Sequence, residues 1–201
     1  MASPEITEAY IIEKLQGAQA EAARAATPQQ AALAPGLEAK CAAVLLPLLQ
    51  VEKEWYLLYT RRTERVETHK GQVSFPGGAC DPGEEQPEQT ALREAEEEIG
   101  LRARDVRVLG RLSPLATITG FWVRPVVGRI PWPYAFRVEN AEVARVFLMP
   151  LSWLADKRNR WEFSLPGKKL GLIIYHPYDG EVLWGATALM TDTFLRVVGL
   201  L

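Results

Sequence analysis

The pattern of apolar and polar positions predicts a chain that alternates between strands and helices. Apolar runs at residues 42–49 and 55–61 are separated by a short charged turn, which predicts an antiparallel hairpin. Four more strand-like runs lie at residues 106–109, 122–130, 143–149 and 170–175. An Asp-Gly pair at residues 179–180 predicts a turn that leads the last run back through residues 182–184.

Three segments have the spacing of apolar residues that is typical of helices, at residues 4–26, 87–99 and 186–200. In the second segment, Pro87 suits the first helical position, and Gly100 suits the left-handed residue that ends a helix. Because strands and helices are interleaved and a hairpin is present, the sequence predicts an α/β domain with a mixed β-sheet between helices.

The segments between these elements suggest how the chain is divided. Residues 27–39 contain prolines and a glycine and are predicted to be a linker, which gives an N-terminal helix and linker at residues 1–39 and a main domain at 40–201. Residues 62–84 are charged and rich in glycine and proline. They form a predicted loop long enough to suggest a function.

Composition limits the classes of protein that fit. With 201 residues, about a quarter of them charged, and a formal net charge of −2, the chain has the composition of one globular domain. Nothing in this balance predicts binding to nucleic acid or to an anionic membrane. The sequence also has no secretory signal and no run of about 20 apolar residues, so we expect a cytoplasmic protein.

The two cysteines, Cys41 and Cys80, lie far apart in the sequence and form no metal-ligand pattern. We therefore expect both to be small buried side chains rather than partners in a disulfide.

The second predicted helix carries an acidic face. Glu94, Glu97 and Glu98 stand at positions i, i+3 and i+4, which places their carboxylates together. Like charges at this spacing repel one another, and a divalent cation such as Mg²⁺ removes that repulsion because it favours clustered oxygen ligands. The opposite face is predicted to pack on the core through Leu92, Ala95 and Ile99.

Two glycines precede this helix, at Gly77 and Gly78, where the backbone is free to approach a ligand or metal closely. Arg93 lies within the acidic run, and we expect it to pair with a neighbouring carboxylate and orient it.

The segment from Gly78 to Leu101 resembles the box that defines the Nudix hydrolases. Every defined position in its second half is matched, by Arg93, Glu94, Ala95, Glu97, Glu98, Gly100 and Leu101. The first half is one residue longer than usual, so its early glutamate is either Glu84 or Glu85.

A second stretch, residues 58–78, resembles a motif found just upstream of the box in coenzyme A pyrophosphatases. Its matching residues are Leu58-Tyr59-Thr60-Arg61-Arg62, Arg65, His69, Gly71-Gln72-Val73 and Phe75-Pro76-Gly77-Gly78. Together with shorter similarities further along, the resemblance spans most of residues 41–190.

The resemblance implies an α/β/α sandwich and hydrolysis of coenzyme A, with Mg²⁺ or Mn²⁺, to 3′,5′-ADP and 4′-phosphopantetheine. The implied metal ligands are Glu94, Glu97, Glu98 and the carbonyl of Gly78. Glu97, Glu98, Arg93 and Glu142 are the implied catalytic residues, and which glutamate acts as the base stays open. The substrate-binding residues would be Arg61, Arg62, Arg65, His69, Gly77 and Gly78.

Other functions are compatible with the same motifs. One is a Nudix hydrolase that acts on ADP-ribose, NADH or nucleoside triphosphates, and another is a noncatalytic module that binds nucleotides. The N-terminal helix could serve as a contact in a homodimer.

Overall fold

The computed structural model describes residues 6–24, 39–64, 70–163 and 171–201. The strands in this part of the chain are β1 (Lys40–Val51), β2 (Glu54–Arg62), β3 (Val73–Ser74), β4 (Gly77–Ala79), β5 (Arg107–Arg111), β6 (Leu115–Ala116), β7 (Phe121–Arg129), β8 (Val143–Pro150), β9 (Arg160–Phe163) and β10 (Leu172–Tyr175). The helices are α1 (Glu8–Arg24), α2 (Pro87–Ile99), α3 (Leu151–Ala155) and α4 (Gly185–Val197).

Strand β1 is the centre of the main sheet. It pairs antiparallel with β2 and with β4, and it pairs parallel with β7, so the sheet is mixed. Strand β8 lies antiparallel along β2, and β5 lies antiparallel along β7. Strands β9 and β10 form a separate two-stranded sheet.

Helices cover both faces of the main sheet. On one face, α2 packs its buried residues Ala91, Ala95 and Ile99 against a cluster that includes Leu45 and Leu58. On the other face, α1 and α4 pack against a larger cluster. Its main aromatic and aliphatic members are Ile11, Leu15, Leu46, Leu57, Tyr59, Phe75, Phe194 and Leu195. This arrangement confirms the predicted α/β/α sandwich with a mixed sheet.

The N-terminal helix α1 is docked on the sheet. Ile11 and Leu15 are fully buried in the larger cluster. The Glu8 carboxylate also lies 2.6 Å from the guanidinium groups of Arg107 on β5 and Arg129 on β7. The apolar stripe of α1 is therefore occupied within the chain, whereas the division at residue 39 and the homodimer contact stay predictions.

Most of the predicted elements are confirmed. The hairpin of β1 and β2 forms, and α2 begins at Pro87 and ends before Gly100, whose φ of 67° is left-handed. Asp179 and Gly180 form the predicted turn, with φ values of 49° and 79°. The return through residues 182–184 is only an isolated bridge between Ile174 and Trp184 rather than a strand.

The structure revises one of the two expectations about loops and does not test the other. The predicted loop at residues 62–84 contains the short strands β3 and β4, which pair with β2 and β1. The predicted linker at residues 27–39 lies outside the described residues, except for residue 39. None of the helices in the described ranges is long and apolar enough to cross a membrane.

The prediction for the cysteines is wrong. Cys41 and Cys80 form a disulfide, and neither is fully buried, since Cys41 is exposed and Cys80 is half-buried. The two residues are far apart in sequence but become direct neighbours because β4 pairs with the start of β1, where the Cys80 N–H donates to the Cys41 carbonyl at 3.0 Å.

Candidate active site

Helix α2 brings the acidic run to the sheet. Its first turn is fixed by Gln86, whose N–H donates to the Gln89 side-chain oxygen at 2.9 Å, and by the ring of Pro87 at the first helical position. Packing of Ala91 and Ala95 against the sheet then sets the rotation of the helix. Leu92, predicted to be in the core, is only partly buried at its margin.

Glu98 is the most buried carboxylate of the acidic run, with only 3% of its surface exposed. Its Oε1 lies 3.8 Å from Nη1 of Arg62, and its buried Oε2 has no hydrogen-bond partner among the residues that the structure describes. Burial above all, together with the nearby negative charges of Glu94 and Glu142, raises the pKa of Glu98 to about 8, against the opposing effect of Arg62. The acidic face and the core face are thus not opposite, because Glu98 belongs to the buried side.

Glu94 lies directly against Gly78 of β4. A Cβ atom at Gly78 would stand 2.4 Å from Oε1 of Glu94, so only glycine leaves the carboxylate in this position. At Gly77, a Cβ would instead clash with the backbone, since it would stand 2.4 Å from the Ala43 carbonyl oxygen. Burial raises the pKa of Glu94, partly offset by its hydrogen bond with Arg93.

Arg93 connects the loop before α2 to the acidic face. Its Nη1 donates to Glu94 at 2.9 Å and to Glu97 at 3.0 Å, and its Nη2 donates to the Ala79 carbonyl at 3.1 Å. Its Nε donates to Glu84 at 3.0 Å. One guanidinium therefore orients two of the carboxylates and ties them to β4, which is the geometry that a positioning residue requires.

Of the two possible early glutamates, Glu84 is the one that contacts Arg93. Glu84 also accepts hydrogen bonds from the hydroxyl of Thr90 at 2.7 Å and from the Asp81 N–H at 2.8 Å. These interactions, led by Arg93, lower the pKa of Glu84 to about 2. The side chain of Glu85 is exposed.

Glu97 and Glu142 are the accessible acids of this region. The side chain of Glu97 is 59% exposed and is held by Arg93. Glu142 is exposed and immediately precedes β8, and its negative charge contributes to the raised pKa values of Glu94 and Glu98. An accessible carboxylate near the buried Glu98 and the half-buried Glu94 is the type of group that can accept a proton from water.

The paired arginines at the end of β2 are separated by the alternation of the strand. Arg62 points toward Glu98 on the α2 side, at 3.8 Å. Arg61 instead lies 3.7 Å from the buried Glu181 and 3.6 Å from Glu64. Its neighbour across the sheet is Arg145 of β8. The structure thus brings only Arg62 to the acidic residues, while Arg65 and His69 lie outside the described residues.

The carboxylates of the acidic run are the kind of ligand that a divalent cation prefers, although they do not converge on a single point. Within the described ranges, no three histidine, cysteine, aspartate or glutamate side chains converge into a ready metal site. The reason is that Arg93 holds the carboxylates of Glu94 and Glu97. The buried Oε2 of Glu98 is nevertheless unpartnered, which is costly for a carboxylate unless a proton or a cation compensates it.

Three contributors to this region were not singled out from the sequence. Asp81 and Thr90 support Arg93 and Glu84, and Arg124 of β7 contacts both cysteines. Helical spacing places Thr90 one turn before Arg93, but the contact of Thr90 is with Glu84, which precedes the helix and is not reached by helical spacing. The contacts of Arg124 depend on the parallel pairing of β1 with β7, which no local pattern indicates.

The chain belongs to the Nudix family, since the NUDIX domain matches residues 39–165. It is 41% identical over 148 residues to the uncharacterized Nudix hydrolase NudL of Yersinia enterocolitica, covering 73% of this chain and 75% of the relative. NudL of Yersinia pestis is 38% identical over 148 residues, covering 73% and 74%.

Among solved structures, a MutT/nudix family protein from Enterococcus faecalis matches with a TM-score of 0.53 and 16% identity, covering 98% of this chain and 75% of that chain. At this identity the similarity concerns the fold. The domain and the relatives together make the protein a Nudix hydrolase, which confirms the predicted class of enzyme.

Proposed function

We propose that this protein hydrolyses the diphosphate of coenzyme A or its derivatives, with Mg²⁺ or Mn²⁺, to give 3′,5′-ADP and 4′-phosphopantetheine. The observation that carries the proposal is the contact between two sequence motifs. The motif at residues 58–78, which resembles coenzyme A pyrophosphatases, meets the acidic helix where Gly78 abuts Glu94 and where Arg62 faces Glu98.

We assign the acidic residues to cation binding and Arg93 to their orientation. Glu94 and Glu98 would hold the cation, with Glu97 and the Gly78 carbonyl as further ligands. When bound, the cation neutralises the charge of the diphosphate and lowers the pKa of the attacking water. Arg93 keeps Glu94 and Glu97 oriented through its two hydrogen bonds.

The proton of the attacking water needs an acceptor that solvent can reach. Glu97 and Glu142 both meet this requirement, because both are exposed. As the water oxygen bonds to phosphorus, the bond from phosphorus to the bridging oxygen breaks, and the bridging oxygen leaves on one of the two products. Arg62 supplies a positive charge beside this chemistry.

A substrate panel tests the proposal. Coenzyme A, an acyl-coenzyme A, ADP-ribose, NADH and a nucleoside triphosphate are each offered with Mg²⁺ or Mn²⁺, and the products are identified by mass. We expect kcat/KM to be highest for coenzyme A or its thioesters. A clear preference for ADP-ribose would move the substrate to the alternative class while leaving the pyrophosphatase chemistry intact.

The role of the acids is tested by substitution on one helix. Glu98→Gln and Glu97→Gln should each lower kcat by about 10²-fold or more, with the fold retained. Glu96→Gln is the matched control, because Glu96 is exposed on the same helix and accepts a hydrogen bond from the Ala103 N–H at 3.3 Å, away from Arg93. Unchanged turnover in both acid variants would refute the assignment of the acidic helix, whereas a wild type that turns over no substrate of the panel would favour a noncatalytic module.

A further inference from the structure

The disulfide lies at the edge of the acidic site. Cys41 belongs to the exposed start of β1, and Cys80 directly follows β4. Cys80 stands between two residues that bind Arg93, since Arg93 contacts the Ala79 carbonyl at 3.1 Å and the Asp81 carboxylate at 3.2 Å. The disulfide therefore anchors the segment at residues 79–81, which positions Arg93, to strand β1.

An arginine from a third strand contacts both sulfur atoms. Nη2 of Arg124 lies 3.0 Å from Sγ of Cys41 and 3.4 Å from Sγ of Cys80. Its Nη1 donates to the Glu85 carbonyl at 3.1 Å, which holds the guanidinium in place. An exposed sulfur beside a fixed positive charge is the environment in which cysteines exchange with external thiols.

We propose that Cys41 and Cys80 form a reversible exchange site for low-molecular-weight thiols, and that its state controls turnover through the segment that holds Arg93. Cys41 is the sulfur that is attacked first, because it is exposed, and Arg124 lies 3.4 Å from the Cys80 sulfur, where it stabilises the negative charge that leaves on that sulfur. This inference goes beyond substrate hydrolysis and does not depend on which diphosphate is hydrolysed.

The exchange balances with two equivalents of thiol. A thiolate attacks Sγ of Cys41, so a bond forms between the thiolate sulfur and the Cys41 sulfur while the bond between Cys41 and Cys80 breaks. The electron pair leaves on the Cys80 sulfur, which takes up a proton from water. A second thiol then attacks the mixed disulfide, which releases Cys41 as a thiol and leaves the external thiols as their own disulfide.

Exchange is measured on the folded protein by mass. Wild type is equilibrated with glutathione and glutathione disulfide at a series of ratios, quenched with acid, alkylated and weighed. We expect a reversible conversion between the disulfide and two alkylated cysteines. With glutathione disulfide, Cys80→Ser should acquire glutathione on Cys41 about tenfold faster than Cys41→Ser acquires it on Cys80, and Arg124→Gln should slow the first reaction about tenfold.

Control of turnover is measured with acetyl-coenzyme A, which has no free thiol. We expect reduction to lower kcat of wild type at least about threefold with little change in KM, since a misplaced positioning residue affects the reacting geometry. The double variant Cys41→Ser, Cys80→Ser should have one kcat that does not respond to glutathione.

A pair that stays oxidised in the folded protein at every ratio would overturn the exchange site, and equal kcat in both states would overturn its control of turnover. If acetyl-coenzyme A is not hydrolysed at all, the proposed substrate fails, while the mass measurement still decides whether the exchange occurs.

Discussion

Two adjacent glycines give the sharpest prediction, because a methyl group at each meets a different kind of neighbour. At Gly78, a Cβ would stand 2.4 Å from Oε1 of Glu94, whereas ordinary contact begins at 3.4 Å. In Gly78→Ala, the carboxylate must therefore move by about 1 Å. Because Oε1 is also bound to Arg93 at 2.9 Å, that movement disturbs the hydrogen bond that orients it.

A displacement of about 1 Å at a reacting centre can cost about 10²-fold in rate. We therefore expect Gly78→Ala to lower kcat by about that factor at saturating metal, with little loss of thermal stability, because the clashing atom is a side-chain end. Gly77→Ala should behave in the reverse way. Its Cβ would stand 2.4 Å from the carbonyl oxygen of Ala43 and 2.6 Å from Cα of Val44, at a φ of +156°, so the backbone itself must shift.

For Gly77→Ala we expect a loss of roughly 1–3 kcal/mol, which lowers Tm by roughly 2–12 °C in a domain of this size. Gly17→Ala is the control, since a Cβ there meets nothing within 4 Å. In the middle of α1 it should leave kcat unchanged and raise stability by up to about 1 kcal/mol. Full turnover in Gly78→Ala, or unfolding as severe as in Gly77→Ala, would refute the close packing of Glu94 against β4.

Three further predictions follow from the carboxylates. Because the pKa of Glu98 is about 8 without metal, a cation that binds below pH 8 must displace a proton from this carboxyl group. The Kd for Mn²⁺ should therefore fall by about tenfold per pH unit up to about pH 8 and then level off. A pH-independent Kd in calorimetry would contradict this. In the metal-free protein, the raised pKa of Glu98 lowers the stability of the fold at pH values above the usual carboxyl pKa of 4.5. Glu98→Gln should therefore raise the free energy of unfolding by roughly 1–3 kcal/mol at pH 7. A lower stability of this variant in urea unfolding would count against the buried charge. Glu84 has the opposite sign: its pKa of about 2 stabilises the fold above pH 4.5, and that stability is lost as the pH falls toward 2. At pH 7, Glu84→Gln should therefore lower the free energy of unfolding by at most about 3 kcal/mol, and by about 1–2 kcal/mol once solvent screening is included. Near pH 2 the same substitution should change it little, and urea unfolding at the two pH values measures both effects.

Local signals in the sequence were sufficient for the elements that carry the acids. Pro87 at the first helical turn and Gly100 at the end determine the limits of α2 by their own backbone preferences, so the helix was predictable to the residue. Strands β3 and β4 were not, because two or three residues carry no detectable period. They form only because β1 and β2 offer partners for them.

The missed contacts in the site have the same physical origin. The disulfide and the position of Arg124 both require the pairings of β1 with β4 and β7, which join residues far apart in sequence. The separation of Arg61 from Arg62 has a local cause, because adjacent residues of a strand point to opposite faces. It was missed because the predicted strand ended at residue 61 and left Arg62 in the predicted loop, whereas β2 includes both. The burial of Glu98 depends on how α2 is rotated on the sheet, which its own sequence does not determine.

A crystal structure with Mn²⁺ and a nonhydrolysable analogue of the substrate diphosphate tests the central claim most directly. We predict a metal ion bound by the carboxylates of Glu94 and Glu98 at about 2.1–2.3 Å, with the diphosphate between this metal and Arg62. A metal held elsewhere, with Oε2 of Glu98 still unpartnered, would contradict it.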